Sequence, residues 1–203
     1  MQTPSERLRE RWLAALLPLV ETRGWTSQTL AEAAQTAGLS EGEQALAAPG
    51  GVNDLIDAFF DAALSDMAAS MANDDLSVLR THERVAEGLK RWLGALNPHR
   101  KAVHKAAARG LLPWGARAAT KRVWTIADKI WLAAGDTASD YNRETKRALL
   151  STVIPSVVWK WLRTDDEAAL DRHIAHRLNL AMRFGQAGSK VLKPVLDRFA
   201  RPS

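Results

Sequence analysis

A chain of 203 residues is long enough to bury a sizeable core, and its 46% hydrophobic content is rich in alanine and leucine without strand-like alternation, which excludes a β-rich architecture. It holds no cysteine, so disulfides, thiolate metal sites and cysteine nucleophiles are all excluded. With 28 Lys and Arg against 23 Asp and Glu the net charge is +5, which favours an anionic counterpart: nucleic acid, an anionic membrane surface or an acidic protein.

In chain order, Pro4 to Arg23 reads as a first helix, with Leu8, Trp12, Leu13, Leu16, Leu17 and Val20 at three- and four-residue steps. The opening "MQTPSERLRERW" lacks the apolar core of a secretory signal. Gly24 ends this helix, and Trp25-Thr26-Ser27 caps a second one that closes at Gly38. Ser40, with Glu43 three residues on, is a capping box opening a short third helix. Helix, helix, glycine turn, helix is the outline of a helix-turn-helix unit.

Pro49-Gly50-Gly51 precedes a long fourth helix through Leu55, Phe59, Phe60, Leu64 and Met67. A helix through Val85, Leu89, Trp92 and Leu93 follows, then one from about His99 to Arg109 and, beyond "LLPWG", one from about Ala116 to Ala134. Gly135 to Asp140 is a connection rich in capping residues, and the next helix runs from about Tyr141 to Arg163 with Pro155 inside it. Thr164 and Glu167 form a second capping box, for a helix to about Phe184. "GQAGS" reads as a flexible joint before "KVLKPVLDRFAR". In that last segment Val191, Leu192, Val195, Leu196 and Phe199 share one helical face, and Lys190, Lys193, Arg198 and Arg201 lie along its flanks or opposite side. Such a basic amphipathic segment either lies in a membrane interface or docks on its own domain. No apolar run approaches the roughly 18 residues of a membrane span. The division expected is a helix-turn-helix-like unit over 1–48, a helical ligand-binding and dimerisation body over 49–184, and a joint with a membrane-binding amphipathic helix over 185–203.

Candidate sites fall into four groups. The recognition-helix position offers Glu41, Glu43, Gln44 and alanines instead of the cations that meet a phosphate backbone, so no nucleic acid is expected as a partner. Among eight tryptophans, Trp124, Trp131, Trp159 and Trp161 accompany Ile126, Ile130, Leu150, Val153, Ile154 and Val157, an apolar set that either encloses an elongated ligand or is plain core. His173 and His176 are three apart on a helix but lack a third metal ligand of suitable spacing, His99 and His104 lie in a basic segment that reads as a solvated face, and His82 stands alone. Asp136 and Asp140 are expected to cap rather than catalyse. No metal site, cofactor or catalytic constellation emerges, and an enzyme is not expected.

The segments "GWTSQTLAEAAQTAGLS", "APGGVNDLIDAFF" and "WLAAGDTASDYNRETKRALLS" together resemble the COQ9 family of ubiquinone biosynthesis proteins. The most specific part is the pattern GD..SD.N..T.RA.L, carried by Gly135, Asp136, Ser139, Asp140, Asn142, Thr145, Arg147, Ala148 and Leu150. The resemblance extends from about Arg7 to Arg183, and its amino-terminal third is shared with TetR-type regulators.

The resemblance implies an all-α, TetR-like helical bundle, usually dimeric, without the DNA-binding residues. It implies a pocket for isoprenoid lipids such as ubiquinone precursors, which here would be lined by Trp124, Ile130, Trp131, Leu150, Val153, Ile154, Val157 and Trp161. It implies a carboxy-terminal helix docking on an anionic membrane surface, here through Lys190, Val191, Leu192, Val195, Leu196, Arg198 and Phe199. It further implies an accessory role, presenting the lipid to a membrane-associated hydroxylase through a surface that would include Asp140, Asn142, Arg143 and Glu144. Where the family commonly has Trp-Tyr after the asparagine, this chain has Arg143-Glu144, which alters that partner surface. The lack of a transit peptide at the start of the sequence points to a bacterial member, peripheral at the inner face of the cytoplasmic membrane. The rival reading is a TetR-type transcription regulator sensing a hydrophobic ligand.

Overall fold

In a computed structural model the backbone is described for residues 3–111, 113–136 and 141–199, and side chains over the same ranges except 113–114, 141–142 and 184–199. Among the described residues there are nine α-helices and no strand: α1 (Pro4–Arg23), α2 (Ser27–Thr36), α3 (Glu41–Ala47), α4 (Val52–Asn73), α5 (Thr81–Leu96), α6 (Arg100–Gly110), α7 (Pro113–Ala133), α8 (Tyr141–Trp161) and α9 (Glu167–Phe199). A single 3-10 turn, Asn97–His99, links α5 to α6. The all-α expectation holds.

Most helix ends follow from local chemistry legible in the sequence. Thr3 and Glu6 close a capping box around Pro4 at the start of α1, and Thr26 accepts the Thr29 N–H at the start of α2. The α2 to α3 turn rests on Gly38 at φ 63°: its N–H reaches the Gln35 carbonyl at 3.0 Å and the Leu39 N–H reaches Ala34 at 2.9 Å, the paired bonds of a glycine C-cap.

The chain divides into two units, residues 1–70 with 91–122 and residues 71–90 with 123–203, whose boundaries fall within α4, α5 and α7. In the first unit α1 packs on α2, α3 and α6. Trp12, Leu16, Val20, Trp25, Leu55, Phe59, Trp92 and Leu96 are buried there. Two of its tryptophans have their polar edge satisfied: Trp12 Nε1 donates to the Leu30 carbonyl at 3.1 Å and Trp25 Nε1 to Ala102 at 3.0 Å. Trp25, Phe59 and Phe60 stack in succession at centroid separations of 5.7 and 5.2 Å. The corner from α6 into α7 is tight. A Cβ on Gly110 would stand 2.9 Å from that of Ala119, and one on Gly115 would collide with the backbone carbonyl of Arg109.

In the second unit α8 packs on α9, and Ile126, Ile130, Leu150, Val153, Ile154, Val157, Trp161 and Ile174 are buried. Lys90 pairs with Asp171 at 3.0 Å, tying α5 to α9.

Three local expectations differ from the structure. The start of α9 is capped by Asp166, whose carboxylate accepts the Ala169 N–H at 2.9 Å, while the Thr164 hydroxyl accepts the Asp166 N–H at 3.2 Å. The short acidic side chain two residues on thus displaces the Thr164–Glu167 box. The backbone stays helical through 185–189, where a joint was expected. Gly185 and Gly188 each weaken a helix by only about 1 kcal/mol relative to alanine, and 185–189 holds no proline. Finally, α7 begins at Pro113, which suits the first helical position, instead of near Ala116.

Candidate functional site

The second unit carries a dense set of polar contacts, built from the end of α7 and the first turns of α8. Gly135, at φ 84°, reverses the chain after α7, with its N–H on Leu132 and the Asp136 N–H on Trp131, both at 3.0 Å. That turn delivers Asp136 inward. Its carboxylate is 4% exposed and accepts from Lys146 Nζ at 2.7 Å and from Arg147 Nη1 at 2.8 Å. Asp136 is therefore a buried ion-pair partner and not the cap it was expected to be. The reason is tertiary: two adjacent cations on α8, Lys146 and Arg147, offer it charge-assisted bonds that a solvated helix end does not.

Arg147 is only 1% exposed and spans two carboxylates, with Nε on Asp128 at 2.6 Å and Nη1 on Asp136. Arg143, one turn earlier, reaches the same Asp128 oxygen at 3.1 Å. Lys146 lies over the Trp131 ring at 5.3 Å, and Trp131 Nε1 returns a bond to the Lys146 carbonyl at 3.1 Å. Burial opposes the ionised form of both aspartates, but the bonds from Arg147 with Arg143, or with Lys146, outweigh it and hold both carboxyls below the ordinary value of 3.8. Burial likewise disfavours the Arg147 charge, and the two carboxylates reverse that and raise its pKa.

Sequence reasoning did not single out Asp128, Lys146 or Arg147 as an ion network, although Arg147 belongs to the resemblance pattern. One signal was available: Arg147 shares a helical face with Leu150 and Ile154, so a permanent cation sits at a core register and requires partners.

Of the apolar set, Ile130, Leu150, Val153, Ile154, Val157 and Trp161 are all buried on α7 and α8. Trp131 is half-buried, whereas Trp124 is 38% exposed and Trp159 51% exposed, the latter stacked under the Arg163 guanidinium at 3.8 Å. Arg143 is half-buried in its pair with Asp128, and Glu144 is exposed. Asp140, and the side chains of Asn142, Lys190, Val191, Leu192, Val195, Leu196, Arg198 and Phe199, lie outside what the structure describes.

The histidines do not gather. His173 is half-buried and hydrogen-bonded to the Ser156 hydroxyl at 3.0 Å; burial is the main force lowering its pKa. Among the described residues no group of His, Asp and Glu is arranged to hold a metal ion, and no helix is long and apolar enough to cross a membrane.

The recognition-helix position is engaged with the start of its own helix, the preceding turn and α1. Glu43 accepts the Ser40 N–H at 2.8 Å and lies 3.5 Å from Arg11, and Gln44 donates to the Leu39 carbonyl at 3.0 Å. Glu43 and Gln44, which a DNA reader would aim at base edges, are turned back on the protein, and Glu41 is left exposed.

A family model described as COQ9 matches residues 116–185, the segment that contains most of α7, all of α8 and the charge network. The "Ubiquinone biosynthesis protein COQ9, mitochondrial" of Homo sapiens is 25% identical over 195 residues, which cover 92% of this chain and 61% of the human protein. That of Rattus norvegicus is 24% identical, with 92% and 62% covered. The chain thus spans about three fifths of the length of the curated relatives it matches. Among solved structures, a TetR transcriptional regulator from Nitrosomonas europaea superposes with a TM-score of 0.65 at 22% identity, covering 86% of this chain and 97% of that one. The resemblance carried by Gly135 to Leu150 is borne out: family model and curated relatives agree on COQ9, and the fold is TetR-like.

Proposed function

We propose that this protein is a non-enzymatic accessory factor of ubiquinone biosynthesis that binds an isoprenoid quinone precursor and presents it to a hydroxylase at a membrane surface. The observation that carries the reading is the coincidence of the COQ9 match over 116–185 with the buried apolar faces of α7 and α8, where Ile130, Leu150, Val153, Ile154 and Val157 lie. A polyprenyl tail is costly to expose, at roughly 0.8 kcal/mol for each CH₂ taken from water, and an apolar helical body is a fitting host for it. Trp124, Trp131 and Trp161 complete the proposed lining. The segment from Lys190 to Phe199 is the proposed membrane contact, Asp140, Asn142, Arg143 and Glu144 form the proposed hydroxylase surface, and the working form is a homodimer.

Native mass spectrometry of the purified protein, with organic extraction of the same sample, tests the lipid claim. A co-purifying isoprenoid quinone or precursor is the expected result; a protein that arrives empty and takes up no added ubiquinone would overturn it. Deleting residues 189–203 is expected to reduce binding to anionic vesicles with the helical content of the rest unchanged, and undiminished binding removes that segment from the mechanism.

A second reading, a TetR-type regulator responding to an apolar ligand, has the α2–turn–α3 geometry in its favour. It requires salt-sensitive DNA binding, for which Glu41 and the locally engaged Glu43 and Gln44 are poor equipment. Retention on heparin that weakens steeply between low and moderate salt would support it.

A further inference from the structure

We propose that Arg147 and Ser151 form a polar anchor for the oxyanion headgroup of an apolar-tailed ligand, an inference that rests on the lipid-binding reading and names the ligand chemistry at its polar end. Arg147 is 1% exposed, and although its Nε and Nη1 are on carboxylates, its buried Nη2 has no hydrogen-bond partner among the described residues. One turn further along α8 the Ser151 hydroxyl is likewise buried and without a partner. Residues four apart lie on the same helical stripe, their Cβ atoms about 5–6 Å from one another. Native proteins rarely leave such groups bare, and two on one stripe mark a place where an acceptor belongs.

Charge specifies the acceptor. Among the described residues the cluster contains three cations, Arg143, Lys146 and Arg147, and two carboxylates, Asp128 and Asp136, which leaves one positive charge around a nearly sealed guanidinium. Glu144 is exposed and makes none of these contacts. A bridging water satisfies the serine but leaves the charge, whereas a carboxylate neutralises it and has two oxygens, one for each donor. The stripe then turns apolar: Leu150, Ile154 and Val157 follow on the same face of α8, all buried. Head and tail of an amphiphile thus have adjacent seats along one helix, and a neutral head can accept from Arg147 Nη2 but leaves the surplus charge uncompensated.

The test compares two probes with one isoprenoid tail, farnesoate with its carboxylate and farnesol with a hydroxyl, titrated into the full-length protein by calorimetry near pH 7.5. Farnesoate is expected to bind about tenfold tighter, and the advantage to shrink to about twofold or less in Ser151→Ala and in Arg147→Lys, which keeps the charge but loses the second terminal nitrogen. Circular dichroism checks that both variants fold; if Arg147→Lys does not, the Ser151→Ala ratio decides. Equal affinity of the two probes, or an unchanged ratio in Ser151→Ala, overturns the anchor while leaving lipid binding intact. Binding of neither probe, in a protein purified free of lipid, overturns both together.

Discussion

Helices α3 and α8 both carry several polar side chains in their first turns and use them in opposite ways. In α3, Glu43 closes a capping box with Ser40 and Gln44 bonds the Leu39 carbonyl, so the polar groups satisfy backbone a few residues away. In α8, Arg143, Lys146 and Arg147 reach back 10 to 19 residues to Asp136 and Asp128. Local satisfaction makes a helix self-sufficient and leaves its surface with little to offer a ligand. Distant satisfaction buries charge, makes two segments depend on each other, and leaves leftover donors where they can meet something else. The comparison teaches that a motif's outline, helix-turn-helix included, says less about its use than where its polar groups are already committed.

The largest effect expected from testing this contrast is in the buried network. Removing one partner breaks a buried, hydrogen-bonded charge network, so Asp136→Asn or Arg147→Met is expected to lower unfolding free energy by about 3–5 kcal/mol in urea titrations. The double variant should cost less than the sum of the two, because the stranded partner is removed as well. A loss below about 1 kcal/mol for the single variants would place the pairs with solvated surface bridges.

Next in size is Leu16→Ala in the first unit, where a fully buried side chain leaves a cavity: about 2–5 kcal/mol, with no change in the pH dependence of stability. That dependence is the third test. Asp128 and Asp136 have folded pKa values below the ordinary 3.8, so the unfolded chain binds protons more readily; their contribution is present above that value and lost as pH falls through the depressed folded values. His173 works in the same sense at higher pH, its stabilising contribution present above 6.5 and lost as pH falls below it. Asp136→Asn is expected to flatten the acid limb of the curve, and a variant curve parallel to wild type below pH 4 would contradict the pairing. The smallest effect belongs to α3: Ser40→Ala should cost about 1 kcal/mol, a local fraying seen by hydrogen exchange in residues 41–47.

What the sequence revealed divides along the same line. The limits of α1, the Ser40–Glu43 box and the Gly38 turn rest on residues within four positions of one another, and they were legible. Asp136 was misread because glycine followed by aspartate is also ordinary cap chemistry; only the fold shows that Lys146 and Arg147 stand opposite. The cap of α9 moved from Thr164 to Asp166 because two acceptable capping residues stand two apart and sequence does not rank them. Six of the eight apolar positions named on α7 and α8 are buried, yet period alone did not reveal that Trp124 is 38% exposed. Family resemblance carried the functional reading further than any local pattern did, since pocket chemistry depends on residues that only tertiary packing gathers.

The corner at Gly115 has a consequence for how such a protein changes over generations. Every single-nucleotide change of a glycine codon that alters the amino acid adds at least a Cβ, and at this position any Cβ meets the Arg109 backbone, which has no flexible end to move aside. No one-step mutation leaves the corner as it is, while exposed Glu41 on α3 sits where replacements touch little. In a saturation mutagenesis library residue 115 would therefore show as a narrow gap in an otherwise permissive stretch around residues 116, 117 and 120, a barrier set by main chain alone.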